Sequence, residues 1–133
     1  MRMNNNEIGL VMLRLGIASM FLWFGFSQLV NSMSWVGWVP DWAVAVLHIS
    51  PAMIVLLNGC VEVALGTLLA CNIFVRYVAL LLGLHLALIT FEIGLSAIGV
   101  RDFGLTLATL SLYFFYTPQK TTQTTSSDTL LIK

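Results

Sequence analysis

Asn58-Gly-Cys-Val-Glu62-Val-Ala-Leu-Gly66-Thr-Leu-Leu69 is apolar enough to cross a membrane and yet carries a carboxyl group. The hydrophobic segment around it runs from Pro51 to Ile73, with Glu62 eleven residues from either end. That distance is about 16 Å at ~1.5 Å per residue, the middle of a hydrocarbon core about 30 Å thick. The ten Leu, Ile and Val residues of the segment favour insertion by about 3–6 kcal/mol, while one central acid opposes it by roughly 3 kcal/mol. The helix can insert, but Glu62 needs a partner, a proton or a wet cavity.

Composition points the same way. The chain has 133 residues, 59% of them hydrophobic and 9% charged, against about 25% charged in soluble domains. A soluble globular domain is excluded, and the apolar runs divide into four spans in one domain. With six basic and six acidic residues the formal charge is zero, so neither nucleic acid nor an acidic partner is implied. Cys60 and Cys71 would be about 16 Å apart along one helix, beyond disulfide reach. Neither belongs to a C-x-x-C pair, and both read as small packing residues. The N-terminus is not a cleavable signal, because Arg14 interrupts the apolar run and that run continues to Val30.

Span one is expected from Ile8 to Val30, after a polar start that Asn4-Asn5-Asn6 can cap. Arg14 lies a turn or two inside, where its stem can snorkel to the headgroups. Asn31–Ser50 is the one long connection and holds Trp35, Trp38 and Trp42. Tryptophans so clustered predict an interfacial cap over the bundle. Pro40-Asp41 predicts a short helix over Asp41–Ile49, and His48 within it reads as an ordinary polar residue. Ser50-Pro51 starts span two. Span three is expected over Val75–Ile93. Gly94–Gly99 is expected to form the hairpin to span four, Val100–Tyr116, which presents Thr106, Thr109 and Tyr113 along one stripe. Residues 1–116 thus make the four-span domain. Residues 117–133, rich in Thr, Gln and Ser, read as a disordered tail.

Arg2, Arg14, Arg76, Lys120 and Lys133 fall on one side of the expected bundle and only Arg101 on the other. This places both termini in the cytoplasm and the Trp-rich loop outside it. Gly66/Ala70 and Gly83/Ala87 have the spacing that lets helices approach closely, without specifying an oligomer.

Because adjacent spans run antiparallel, Glu62 and His85 fall at nearly the same depth, with Arg14 within reach of its own long stem. Asn58, Glu92, Arg101 and Asp102 lie nearer the outer face. The expected result is one polar seam: Arg14, Glu62 and His85 inside, the other four above. Three roles are open to these groups. Glu62 could pair with Arg14, and Glu92 with Arg101, to set the helix register. Glu62 and His85 could bind, and exchange protons with, a small redox-active molecule such as a quinone. Glu62, His85 and Glu92 could hold a metal, although the paired Glu-x-x-His signature of bundle metal sites is missing.

Arg14, Phe-Gly-Phe-Ser-Gln at 24–28, Glu62 in Val-Glu-Val-Ala-Leu-Gly, Arg76 opening span three and Arg101-Asp102 opening span four together resemble the DoxX family. The likeness covers about residues 8–116. It implies a four-span α-helical membrane protein of bacteria or archaea, with Arg14, Glu62, Arg76 and Asp102 as its polar residues of interest. The wider DoxX/DoxD group is associated with thiosulfate:quinone oxidoreductase or with membrane complexes handling thiol and oxidative stress. Many relatives carry a lysine where this chain has Gln28, so the charge that an anion site at the outer end of span one would use is missing.

The expectation is therefore an all-α, multi-pass four-helix bundle in the cell (inner or plasma) membrane. It would serve as a small subunit of a quinone-linked redox system. It would take a quinone rather than a covalently bound cofactor or a metal, and work with a soluble or membrane redox partner. A non-catalytic scaffold subunit and a proton-coupled small-molecule transporter are the alternatives, the transporter requiring a homo-oligomer.

Overall fold

A computed structural model describes residues 4–117. Its helices are α1 (Asn5–Val30), α2 (Asp41–Leu47), α3 (Pro51–Ala70), α4 (Val75–Ile93) and α5 (Ala97–Phe115), with a 3₁₀ segment at Ser32–Trp38. Four of them, α1, α3, α4 and α5, are long and apolar enough to cross a membrane, and no strand occurs among the described residues. Beyond Thr117 the expected tail lies outside the described residues.

The starts of α1, α3 and α5 follow from their capping residues. Glu7 accepts the Asn4 N–H at 3.0 Å, closing the first turn of α1. The Ser50 hydroxyl accepts from the Met53 N–H, and Pro51 fills the first helical position, where its missing donor costs nothing. Ser96 does the same for α5 by accepting from Gly99 N–H at 3.0 Å. That cap corrects the expected start at Val100: α5 begins at Ala97, and Gly99 lies inside its first turn. A Cβ on Gly99 would collide with the Gly94 carbonyl oxygen, so only glycine allows the turn to close this tightly. At the other ends, α3 stops at Ala70, short of Ile73, and α2 stops at Leu47, where His48 takes a left-handed conformation.

The long helices form two antiparallel pairs, α1 with α3 and α4 with α5. Gly25 and Gly59 mark the tightest point of the first pair. A Cβ on either would lie 2.9 Å from the other's carbonyl oxygen, so the two backbones touch there. Gly66 meets Leu22, and Gly83 receives Leu110 in the second pair. The pairs join through Ile17, Phe21, Leu69, Val78, Leu82 and Leu112, which fill the end of the bundle that holds the α3–α4 turn. At the opposite end the pairs separate.

The outer surface is inverted relative to a soluble protein. Met12, Trp23, Phe26, Leu84, Leu88 and Phe103 are all exposed, as expected where the surrounding solvent is acyl chain. Cys60 and Cys71 also lie on this surface as free thiols, not in the packing role expected of them. A small apolar side chain loses nothing by facing lipid.

Candidate functional site

The gap between the two helix pairs is a cavity of about 520 Å³. Its walls come from α1, α3, α4 and α5, and the 3₁₀ segment and α2 fold across its end. Trp35 anchors this strap by packing edge-on against Phe24, 5.7 Å between ring centres, and by donating to the Ser27 hydroxyl at 3.2 Å. Trp42 ties α2 to α4, its indole N–H donating to Glu92 Oε1 at 2.9 Å. The strap closes because its tryptophans have both apolar walls and polar acceptors within reach.

Glu62 lies on the inner cavity wall and is 4% exposed. Its carboxyl group is held by neutral neighbours. Gln28 Nε2 donates to Oε2 at 2.9 Å, and Asn58 Nδ2, one turn earlier on the same helix, is 3.0 Å from Oε1. Asn58 Nδ2 also lies 2.8 Å from Gln28 Oε1, closing a ring of three side chains across the α1–α3 crossing. The nearby Gly25–Gly59 contact makes this possible, because it brings the helices close enough for short amides to bridge them. His85 Nε2 stands 3.4 Å from Glu62 Oε1, long for a hydrogen bond but within reach of a small adjustment.

The expected residues divide as follows. Glu62, His85 and Asn58 come together, and Glu92, Arg101 and Asp102 border the same cavity at its outer part. Arg14 does not join them. It is buried, but its Nη1 donates to the carbonyl oxygens of Leu69 at 2.9 Å and Ala70 at 3.1 Å. The pairing of Arg14 with Glu62, one of the three roles open to these groups, is therefore replaced by a cap on the C-terminus of α3. The helix end offers unpaired carbonyls and the negative end of its dipole about two turns closer to Arg14. Glu92 likewise accepts from Trp42 and does not pair with Arg101, which bonds its own neighbour Asp102 at 2.8 Å. Arg76 sits apart from the cavity, donating to the Tyr113 hydroxyl at 3.2 Å and lying over its ring.

No three His, Cys, Asp or Glu side chains among the described residues come together as a ligand set, so Glu62, His85 and Glu92 do not form one. Gln28 is the member of the site that sequence reasoning left out of the polar seam, noting it only for the charge missing at the outer end of span one. A signal existed: an uncharged polar residue three positions after Gly25, inside an apolar span, needs a buried partner.

What the arrangement can do chemically is specific. A carboxyl group and an imidazole meet at the inner wall of an otherwise apolar and aromatic cavity, and a second carboxyl, Glu92, lies two turns away on the His85 face of α4. Such a cavity suits a flat apolar molecule with polar atoms at its ends. The family profile for DoxX matches residues 9–95, more than half of the chain, and the chain belongs to the DoxX family. No curated protein and no solved structure matches it.

Proposed function

We propose that this DoxX-family membrane protein binds a quinone in the cavity and exchanges protons with it through Glu62 and His85, as a subunit of a quinone-linked redox system. The observation that carries this is the buried Glu62 carboxyl 3.4 Å from His85 on the wall of a 520 Å³ cavity. Reducing a quinone to a quinol takes two electrons and two protons, one proton for each oxygen. A separate redox partner, soluble or in the membrane, supplies the electrons. The role of this chain is to hold the ring, exclude water and deliver protons.

In this reading one oxygen of the quinone ring faces the Glu62–His85 pair at the inner wall, and the other faces the outer end of the cavity, where Glu92 lies two turns further along α4. Phe24, Trp35 and Ile89 supply flat and apolar walls for that ring. In the same reading the termini face the cytoplasm and the strap lies on the outer side of the cell membrane, following the basic residues.

A scaffold role is the second reading. It is favoured by the Gln28–Asn58–Glu62 ring, which couples α1 to α3 whatever occupies the cavity. The two separate on binding. In nanodiscs, a quinone binds wild type and loses at least about tenfold in affinity with Glu62→Gln, which keeps the helix-bridging geometry. A pure scaffold binds no quinone, or binds it equally in both proteins.

A further inference from the structure

We propose that the cavity opens sideways into the bilayer between α3 and α4, beside Leu88 and Phe91, and that its ligand is an amphiphile. The polar head reaches Glu62 and His85 while the apolar tail stays in lipid. This rests on the cavity being a ligand site, as above, and adds the route and the chemical class.

The outward stripe of α4 runs through Leu81, Leu84, Leu88 and Phe91, all exposed. Leu81 and Leu84 face lipid only, whereas Leu88, 69% exposed, and Phe91, 83% exposed, also line the cavity. A residue can do both only where the cavity wall meets the lipid-facing surface. Two features explain the opening. Residues 71–74 join α3 to α4, yet the two helices touch lightly compared with the tight α1–α3 and α4–α5 pairs. The buried residues of α4 also lie mainly in its first half, Val75, Val78, Ala79, Leu82 and Gly83, with only Leu86 beyond it.

Depth decides what can use such a door. Leu88 is three residues past His85, about 4.5 Å along the axis, so the opening lies at the level of acyl chains. A molecule arriving there is already dissolved in lipid, and its tail can remain where it was. The other approach passes the rim formed by Trp38, Trp42, Arg101 and Asp102. A long apolar tail would have to cross charged groups at that rim, at a cost the sideways route avoids. The polar groups cluster at Gln28, Asn58, Glu62 and His85, with the outer Glu92, Arg101 and Asp102 beyond; between them the walls are apolar. A compact polar head on an apolar tail matches that division.

The test uses full-length protein in nanodiscs and two quinones with the same ring, one with a prenyl tail and one without, their affinities expressed per mole fraction in the bilayer. Leu88→Trp fills the opening, and Leu84→Trp, one turn away on the same stripe, controls for bulk in the lipid-facing surface. Thermal melting confirms folding of each. Wild type is expected to bind both quinones similarly. Leu88→Trp should lose about tenfold or more for the tailed quinone, because the tail must displace the new ring. It should keep the tail-less one, and Leu84→Trp should change neither. If Leu88→Trp leaves the tailed quinone unaffected, or weakens both equally, the sideways opening is wrong while the quinone site stands. Wild type that takes only the tail-less quinone overturns the opening in the same way. If wild type binds neither, the quinone reading falls and the opening with it.

Discussion

Arg14 and Glu62 are the two buried ionisable groups whose charges invite pairing, and their placement predicts that they act independently. Arg14 holds the Leu69 and Ala70 carbonyls, and Glu62 lies seven residues before Leu69, about 10 Å along α3. Arg14→Met removes two hydrogen bonds from a charged donor. At about 1.5–3 kcal/mol each, partly offset by relief of a buried charge, the loss is about 2–3 kcal/mol. Glu62→Gln keeps an acceptor for Gln28 or Asn58 and should lose about 1 kcal/mol. Groups this far apart with no shared partner are additive within about 0.5 kcal/mol. The double variant should therefore lose the sum, about 3–4 kcal/mol, measured by reversible unfolding in mixed detergent micelles. A coupling energy above about 1 kcal/mol would mean that the two charges interact directly, and would refute the assignment of Arg14 to the α3 end.

The other predictions concern the frame around the site. Gly59→Val should cost about 1–3 kcal/mol or more, since its Cβ would meet the Gly25 carbonyl oxygen at 2.9 Å, whereas Gly9→Ala, with open space around it, should be neutral or slightly stabilising in the same assay. Gly94→Ala should lose about 1–3 kcal/mol, because φ 67° with ψ −159° is a region open essentially to glycine alone. Trp42→Phe should change global stability by less than about 1 kcal/mol. It should nonetheless speed hydrogen exchange selectively at residues 41–47, since it cuts the bond from α2 to Glu92.

Much of the fold is legible in the sequence because insertion into lipid depends on length and composition, both written locally in the chain. Val75–Ile93 appears with the bounds expected of it, and Ser50-Pro51 opens α3 as the capping preferences require. The start of α5 is harder to read because Gly99 looks like a turn residue, while its reason for being glycine is a close approach to Gly94. The depths of Glu62 and His85 can be compared by counting residues along antiparallel helices, and the two do meet. Partner choice is less legible. Formal charge suggests Arg14 for Glu62 and Arg101 for Glu92, but the rotation of each helix sets the outcome. Neutral Gln28 and Asn58 satisfy Glu62, a helix terminus satisfies Arg14, and an indole N–H satisfies Glu92. The pairings of Glu62 depend on the Gly25–Gly59 crossing, which joins positions far apart in the chain. The cavity too is a property of how the two helix pairs separate, which no local pattern records.

Glu62 as the proton-exchanging group is the central claim, and infrared difference spectroscopy in nanodiscs, with and without quinone, tests it most directly. Quinone addition to wild type should produce a change in a carboxyl C=O band, sensitive to deuterium, that disappears in Glu62→Gln and persists in Glu7→Gln. A band unchanged by quinone, or one that survives in Glu62→Gln, would contradict the account.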